Sequence, residues 1–154
     1  MAAQSNRKIK VVHFGAGNLF GGIEVMLVTL ARHQGACDGL EQSFSFFFDG
    51  KVAGQLRSIG FEPEIFEGVR LRDIRSVNRV RGHVSEYLSR IKPQAVVVHG
   101  QWVHYLLAKV VKKLGLSLIH WSHDPPSGWS FVDWSLRVYP PDWFICNSLY
   151  TKSK

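Results

Sequence analysis

Cysteine is nearly missing from this 154-residue chain: Cys37 and Cys146 are the only two. Two scattered thiols cannot form a disulfide framework or a thiolate metal site, so the expectation is reduced cysteines and a cytoplasmic setting. Long apolar runs are missing as well. No stretch approaches the ~20 residues that a membrane-spanning helix needs, and the opening MAAQSNRKIK lacks the apolar core of a secretory leader. Any membrane contact is therefore expected to be peripheral. Acidic residues are scarce: 12 Asp and Glu stand against 19 Lys and Arg, a net charge of +7. That excess favours an anionic partner, whether a phosphorylated small molecule, an acidic membrane surface or nucleic acid. No nucleic-acid-binding motif accompanies it, so nucleic acid is not expected. Internal repeats and low-complexity tracts are absent too, and the length suits one domain with its own core.

What the chain does have is a glycine-rich bend between two strongly patterned stretches. The run Val11 to Glu24 reads VVHFGAGNLFGGIE, with Gly15, Gly17, Gly21 and Gly22 inside eight residues. Glycine lets another group approach the main chain closely. A helix start adds unpaired N–H groups and a partial positive charge that suit an anion. The spacing is G-x-G-x-x-x-G-G, which is not the dinucleotide G-x-G-x-x-G, and no lysine follows to make a phosphate loop of the Walker kind. Two readings stand: a tight turn with close helix–strand packing, or a backbone surface for a phosphate or sugar.

The rest of the chain alternates strand and helix patterns. Lys8 to Phe14 reads as a first strand buried on both faces. Ile23, Met26, Leu27, Leu30 and Ala31 follow at helical spacing, with Val25 and Val28 widening the stripe, and the pattern ends near Gly35. Phe44 to Phe48 is a second apolar run, closed by the turn Asp49-Gly50, which could cap a short helix carrying Val52, Leu56 and Ile59. Phe61 to Phe66 predicts a third strand, with Pro63 implying an edge or an early break. Leu71 to Ile91 is the longest helical pattern. Leu71, Ile74, Val77, Val80, Val84, Leu88 and Ile91 mark its buried side, and Arg72, Arg75 and Arg79 another face. Ala95 to His99 has the continuous β-branched character of a central parallel strand. Trp102 to Leu114 predicts a helix, Leu116 to Trp121 a fifth strand, Phe131 to Val138 a short helix and Asp142 to Cys146 a sixth strand. Asn147 or Ser148 could cap one more helix. This order predicts an α/β fold: a Rossmann-like three-layer αβα sandwich on a mostly parallel sheet of about six strands.

Ligands of such sheets sit beyond the carboxyl ends of the strands. His99 ends the fourth strand, where it is either satisfied by a backbone group or turned to a ligand. Ser122-His123-Asp124-Pro125-Pro126 leaves the fifth, and a histidine beside a carboxylate can serve as acid, base or hydrogen-bonding pair. His120 suits sheet packing, and His104 a structural or exposed place on the next helix. Trp129, Phe131 and Trp134 can stack on sugars or bases, but more often such aromatics are core. Asp49 ends the second strand, where a dinucleotide fold keeps its ribose acid, so a nicotinamide-nucleotide module remains an alternative. The arginine face is either plain solvated surface or a patch for anionic lipid. With that patch in use, the chain could be a stand-alone interaction domain serving a separate catalytic subunit.

Five motifs in order, G-x-G-x-x-x-G-G-I-E, S-I-G-F, K-P-Q-A-V-V-V-H-G, I-H-W-S-H-D and D-W-F-I-C-N-S, span Lys8 to Ser148. Together they resemble the N-terminal domain of family-4 retaining glycosyltransferases of the GT-B fold. The resemblance implies the acceptor-side half of a two-domain enzyme that moves a sugar from a nucleotide-diphosphate sugar to an acceptor hydroxyl without a bound metal. By position it implies that Gly21 and Gly22 face the donor diphosphate and sugar, with Gly17 and His99 as further candidates for substrate or donor binding. It implies that His123 contacts the transferred sugar and that Asp124 orients that site. Many members act on lipid-linked acceptors, which would give the arginine face a membrane role. Gln101 stands where many members carry a second histidine. No nucleotide-sugar half follows, so the resemblance implies a fragment, or a lone domain working with a partner subunit and inactive alone.

Overall fold

The computed structural model describes residues 8–66, 68–123 and 130–153. Its first strand, β1, is Ile9–Gly15 and leads through the glycine bend into helix α1, Gly22–Arg32. A 3-10 turn at Gln34–Ala36 precedes β2, Leu40–Phe46, and α2, Lys51–Ser58. The two-residue β3, Glu64–Ile65, leads to α3, Ile74–Ile91, and then β4, Ala95–His99. After α4, Gln101–Lys113, come β5, Ser117–Ser122, α5, Phe131–Val138, β6, Trp143–Cys146, and α6, Leu149–Lys152.

All pairings in the six-stranded sheet are parallel, in the order β3-β2-β1-β4-β5-β6. Period-2 alternation divides each strand between two cores. Val12 and Phe14 of β1, Val96 and Val98 of β4 and Leu118 of β5 pack with Val77, Val80 and Val84 of α3 and Leu106 and Leu107 of α4. On the opposite face Phe44 and Phe46 of β2 pack with Leu27 and Val28 of α1 and Val52 and Leu56 of α2. These are the three layers the alternation predicts. β4 is central and buried throughout, as its β-branched run requires.

The departures have local causes. β2 begins at Leu40, four residues before the expected Phe44, because Ile9 to Gly15 offers a full ladder from Leu40 to Phe46. After Leu40 its opening residues, Glu41, Gln42 and Ser43, are polar and carry no strand signal. The amides of Phe47 and Phe48 both leave that ladder for Ala16 O, at 3.1 and 3.2 Å. β3 shrinks to two edge residues directly after Pro63, as an edge proline dictates. α3 starts at Ile74 because the Asp73 side chain accepts the Arg75 N–H at 3.0 Å. Ile74, expected on the buried side, is therefore 60% exposed in the first turn, and Val25 on α1 is 52% exposed. α3 stops where Lys92 turns left-handed (φ 48°) before Pro93.

Of the Asp49-Gly50 turn, Gly50 holds the N-cap position of α2, and the Asp49 carboxylate pairs with Arg57 at 2.9 Å. Ser148, not Asn147, caps α6 by accepting the Thr151 N–H at 3.1 Å. Phe131 and Trp134 are not core: 56% and 64% exposed, they face solvent with Trp143 and Phe144 of the edge strand β6. Trp129 lies outside the described residues.

Candidate functional site

The strand order reverses between β1 and β4. The chain builds β2 and β3 on one side of β1 and then returns to build β4, β5 and β6 on the other. At that switch point the loops leaving the carboxyl ends diverge and open a crevice. A cavity of about 730 Å3 occupies it, a size that suits a small ligand. Its wall takes Asn18, Gly21 and Gly22 from the bend after β1, and His99, Gln101 and Trp102 from the β4–α4 junction. His123 after β5 and Asn147 after β6 complete it.

The glycines divide by role. Gly17 has φ +90°, and a Cβ there would fall 2.5 Å from Phe48 O. Positive φ and the neighbouring backbone both demand glycine at that position, so the bend is tight for packing reasons. Gly22 differs: a Cβ built on it would meet nothing within 4 Å. The main chain there is bare toward the cavity. Glu24 is buried in the same wall, and its carboxylate accepts the Gly21 N–H at 2.9 Å. An acidic group in the first turn of α1 offsets the partial positive charge of the helix start. The bend is thus a poorer anion site than its glycines alone suggest. No Lys or Arg is among the described residues that line the cavity.

Histidines form the polar floor. Sheet alternation puts His13 of β1, His99 of β4 and Trp121 of β5 on one face, and His123 continues that row. His99 Nε2 lies 3.1 Å from His13 Nδ1, and His99 Nδ1 lies 3.1 Å from His123 Nε2. His13 Nε2 in turn lies 3.1 Å from Gln42 Oε1 on β2. His99 therefore bonds to two imidazoles, where a backbone partner was the plainer expectation. His13 stacks on Phe44, and His123 lies parallel to Trp121 with 5.9 Å between ring centroids. Burial pushes the His13 imidazolium down to about 4, against the raising effect of the Gln42 contact. Burial, then the neighbouring His13, His123 and His120, holds His99 well below its ordinary value. Both rings are neutral at pH 7. Asn147 steadies the loop by donating to His123 O at 3.4 Å.

A second histidine pair lies on the other face and away from the cavity. His104 Nε2 lies 3.0 Å from Tyr139 O, and its Nδ1 lies 3.3 Å from His120 Nδ1. Both rings are fully buried, His120 against Phe144, as its packing role requires. Burial lowers them to about 4 and about 3.

Of the residues expected at the site, Gly21, Gly22, His99 and His123 line one cavity. Gly17 serves the bend behind it. Asp124 lies outside the described residues. His13, Gln42, Glu24 and Asn147 were not anticipated there. The trace of His13 is a polar residue between Val12 and Phe14 in a strand that reads as buried on both faces. Gln42 left none, because its strand begins in polar residues. No group of three or more His, Cys, Asp or Glu arranged to hold a metal is found among the described residues.

No family model matches the chain, and no curated protein matches it in sequence. Solved structures do match in fold. A UDP-N-acetylglucosamine 2-epimerase is similar at TM-score 0.74 and 12% identity, over 96% of this chain and 44% of that one. Anabaena HepE in complex with UDP gives 0.71 and 17%, over 94% and 39%. MurG of Acinetobacter baumannii gives 0.68 and 16%, over 90% and 41%. The chain spans less than half the length of each. The fold is that of a GT-B-like N-terminal domain.

Proposed function

We propose that this chain is the acceptor-side half of a glycosyltransferase of the family-4 kind, which moves a sugar from a nucleotide-diphosphate sugar to an acceptor hydroxyl with retention. The observation that carries this reading is the composition of the switch-point cavity. It presents bare backbone at Gly22, a carboxylate at Glu24 and an amide at Gln101, with His123 opposite, held by a neutral His99 whose two nitrogens are engaged by His13 and His123, and no cation among its described residues. Hydrogen-bonding groups of this kind suit the hydroxyls of a sugar ring. A diphosphate is different, because binding it well takes Arg, Lys, a metal or uncommitted helix-start amides. The diphosphate charge is therefore to be met by a second domain or partner subunit, and this chain alone is to be inactive. The fold neighbours support the reading in architecture, and HepE was solved with UDP bound.

A nicotinamide-nucleotide module is the weaker reading, because Asp49, its candidate ribose acid, is held by Arg57. The direct test is His123→Ala in a version of the chain joined to a nucleotide-sugar domain. Losing one or two polar contacts to the transferred sugar should lower transfer by roughly 10- to 100-fold, with the circular dichroism of the fold retained. Unchanged turnover would end the assignment of His123 to the sugar.

A further inference from the structure

β6, Trp143–Cys146, ends the sheet and pairs only with β5 among the described residues. A parallel strand is ordinarily covered on both faces, and the edge strand of a monomer is ordinarily guarded by lysine or proline. β6 lacks both the cover and the guard. Trp143, Phe144 and Ile145 are 68%, 55% and 36% exposed, and no charged residue or proline stands from Trp143 to Thr151. The apolar surface continues onto α5, where Phe131, Trp134 and Val138 recur at i, i+3 and i+7, a single helical stripe, and all three are exposed. The end of α5 stands on the Phe144 side of the sheet. Tyr139 O lies 3.0 Å from His104 Nε2, His104 Nδ1 lies 3.3 Å from His120 Nδ1, and the His120 ring meets the Phe144 ring at 5.0 Å. With about 150–250 Å2 on each aromatic side chain, the exposed parts of these six residues amount to roughly 700 Å2. That is above the largest patch usual on a monomer, about 300–600 Å2, and near the ~800 Å2 that each partner gives to a stable interface.

We propose that this strip is a dimer interface, in which β6 pairs with β6 of a second copy of the chain across a two-fold axis normal to the sheet. Such an axis makes the pair antiparallel and keeps each face of the sheet on its own side. Residues directly opposite one another point to the same face. With the axis at Phe144, that residue meets its own copy on one face, and Trp143 meets the partner's Ile145 on the other. One surface thus serves both sides of the axis, and the open edge gains backbone partners that no flat apolar ligand could supply. The axis also sets the two α5 helices side by side. A crossover helix lies over the strands it joins, here β5 and β6, and neighbouring strands are about 4.8 Å apart, so the two helices fall roughly 10 Å from each other. That is the distance at which apolar helix faces pack. Charge permits the contact, because the net +7 of the chain has no member from Trp143 to Thr151. An acidic lipid surface suits the strip poorly, since β6 offers it no cation. The dimer requires nothing of the proposed sugar chemistry.

Sedimentation equilibrium of the full chain over a range of concentrations reads the state directly. The expected result is a reversible equilibrium between 17.5 kDa and twice that mass. Trp143→Lys, at an exposed position, places two charges in each dimer and should raise the dissociation constant about tenfold or more. Val25→Lys, equally exposed but on α1, should leave it unchanged. The register is read by Phe144→Cys in a chain that also carries Cys37→Ser and Cys146→Ser. A thiol at the axis should close a disulfide between two copies on mild oxidation at high concentration, and Val25→Cys in the same background should not. A chain still monomeric at about 0.1 mM, a dimer unmoved by Trp143→Lys, or a mass that grows without limit would overturn the proposal, and a monomer would leave the strip to a different polypeptide. A folded Phe144→Cys chain that forms no disulfide would overturn the pairing. Should Phe144→Cys fail to fold, because Phe144 packs on His120, the comparison of Trp143→Lys with Val25→Lys decides alone.

Discussion

Individual glycines separate packing from ligand space more sharply than their motif does. Gly17 holds φ +90° beneath Phe48 O, and Gly22 faces open space. Gly17→Ala should therefore cost about 1–3 kcal/mol, from strain in the positive-φ region and a Cβ forced against backbone. Thermal denaturation should show it as a melting point lower by about 2–4 °C for each kcal/mol. A melting point unchanged by Gly17→Ala would mean that the bend relaxes freely and that its shape is not set by packing. Both glycines were visible in the sequence, but their different jobs were not, because the distinction depends on what lies across from each Cβ. The histidines show the same limit. His99 and His123 could be found as polar residues at strand ends, whereas His13 is mid-strand and gains its meaning only from the neighbours that parallel register gives it.

Among the elements, those governed by local chemistry were the legible ones. β4 and α5 have the expected bounds, since a β-branched run and a helical stripe after Ser130 need no distant partner. β2 reaches four residues ahead of its apolar run because those residues are strand only by virtue of β1. α3 holds the open question of partners. Arg75 and Arg79 in its first turns and Arg72 just before its N-cap stand beside the exposed Ile74, a combination that suits a peripheral contact with acidic lipid. Each basic residue near such a surface contributes about 1 kcal/mol, screened by salt. Sedimentation with phosphatidylserine-containing vesicles should show binding that weakens as salt rises and is lost when the three arginines become glutamine. Equal binding to neutral phosphatidylcholine vesicles, or none to either kind, would make this face ordinary solvated surface.

For the molecule as a whole, the buried histidines dictate a pH dependence. His13, His104 and His120 are lowered from the ordinary 6.5 to about 4, about 4 and about 3, and His99 is also lowered, in each case chiefly by burial. The folded chain resists protons that the unfolded chain accepts below pH 6.5, so the unfolded state binds more protons and stability falls as the solution is acidified. The full stability is present above pH 6.5. Between there and about pH 4, His13, His104 and His120 each remove on the order of 1 kcal/mol per pH unit, and His99 acts in the same direction. Urea denaturation at pH 7.5 and at pH 5 should show a marked fall in midpoint, and equal midpoints would mean that these rings are solvated. The fold class could be read from alternation alone, because parallel α/β architecture writes itself into strand and helix lengths. The cavity could not, since it arises where the strand order reverses, and that is a property of the assembled sheet.

The central claim is that Gly22 and His123 face one ligand across the switch point, and a nuclear magnetic resonance titration with UDP-glucose of the 15N-labelled chain joined to a nucleotide-sugar domain tests it most directly. The prediction is saturable shifts at the amides of Gly21, Gly22 and Ile23 and at the His123 ring, abolished in Gly22→Leu, a substitution for which the fold has room but the cavity does not. Shifts that avoid those residues, that survive Gly22→Leu, or that appear only with NAD and centre on Asp49 would contradict it.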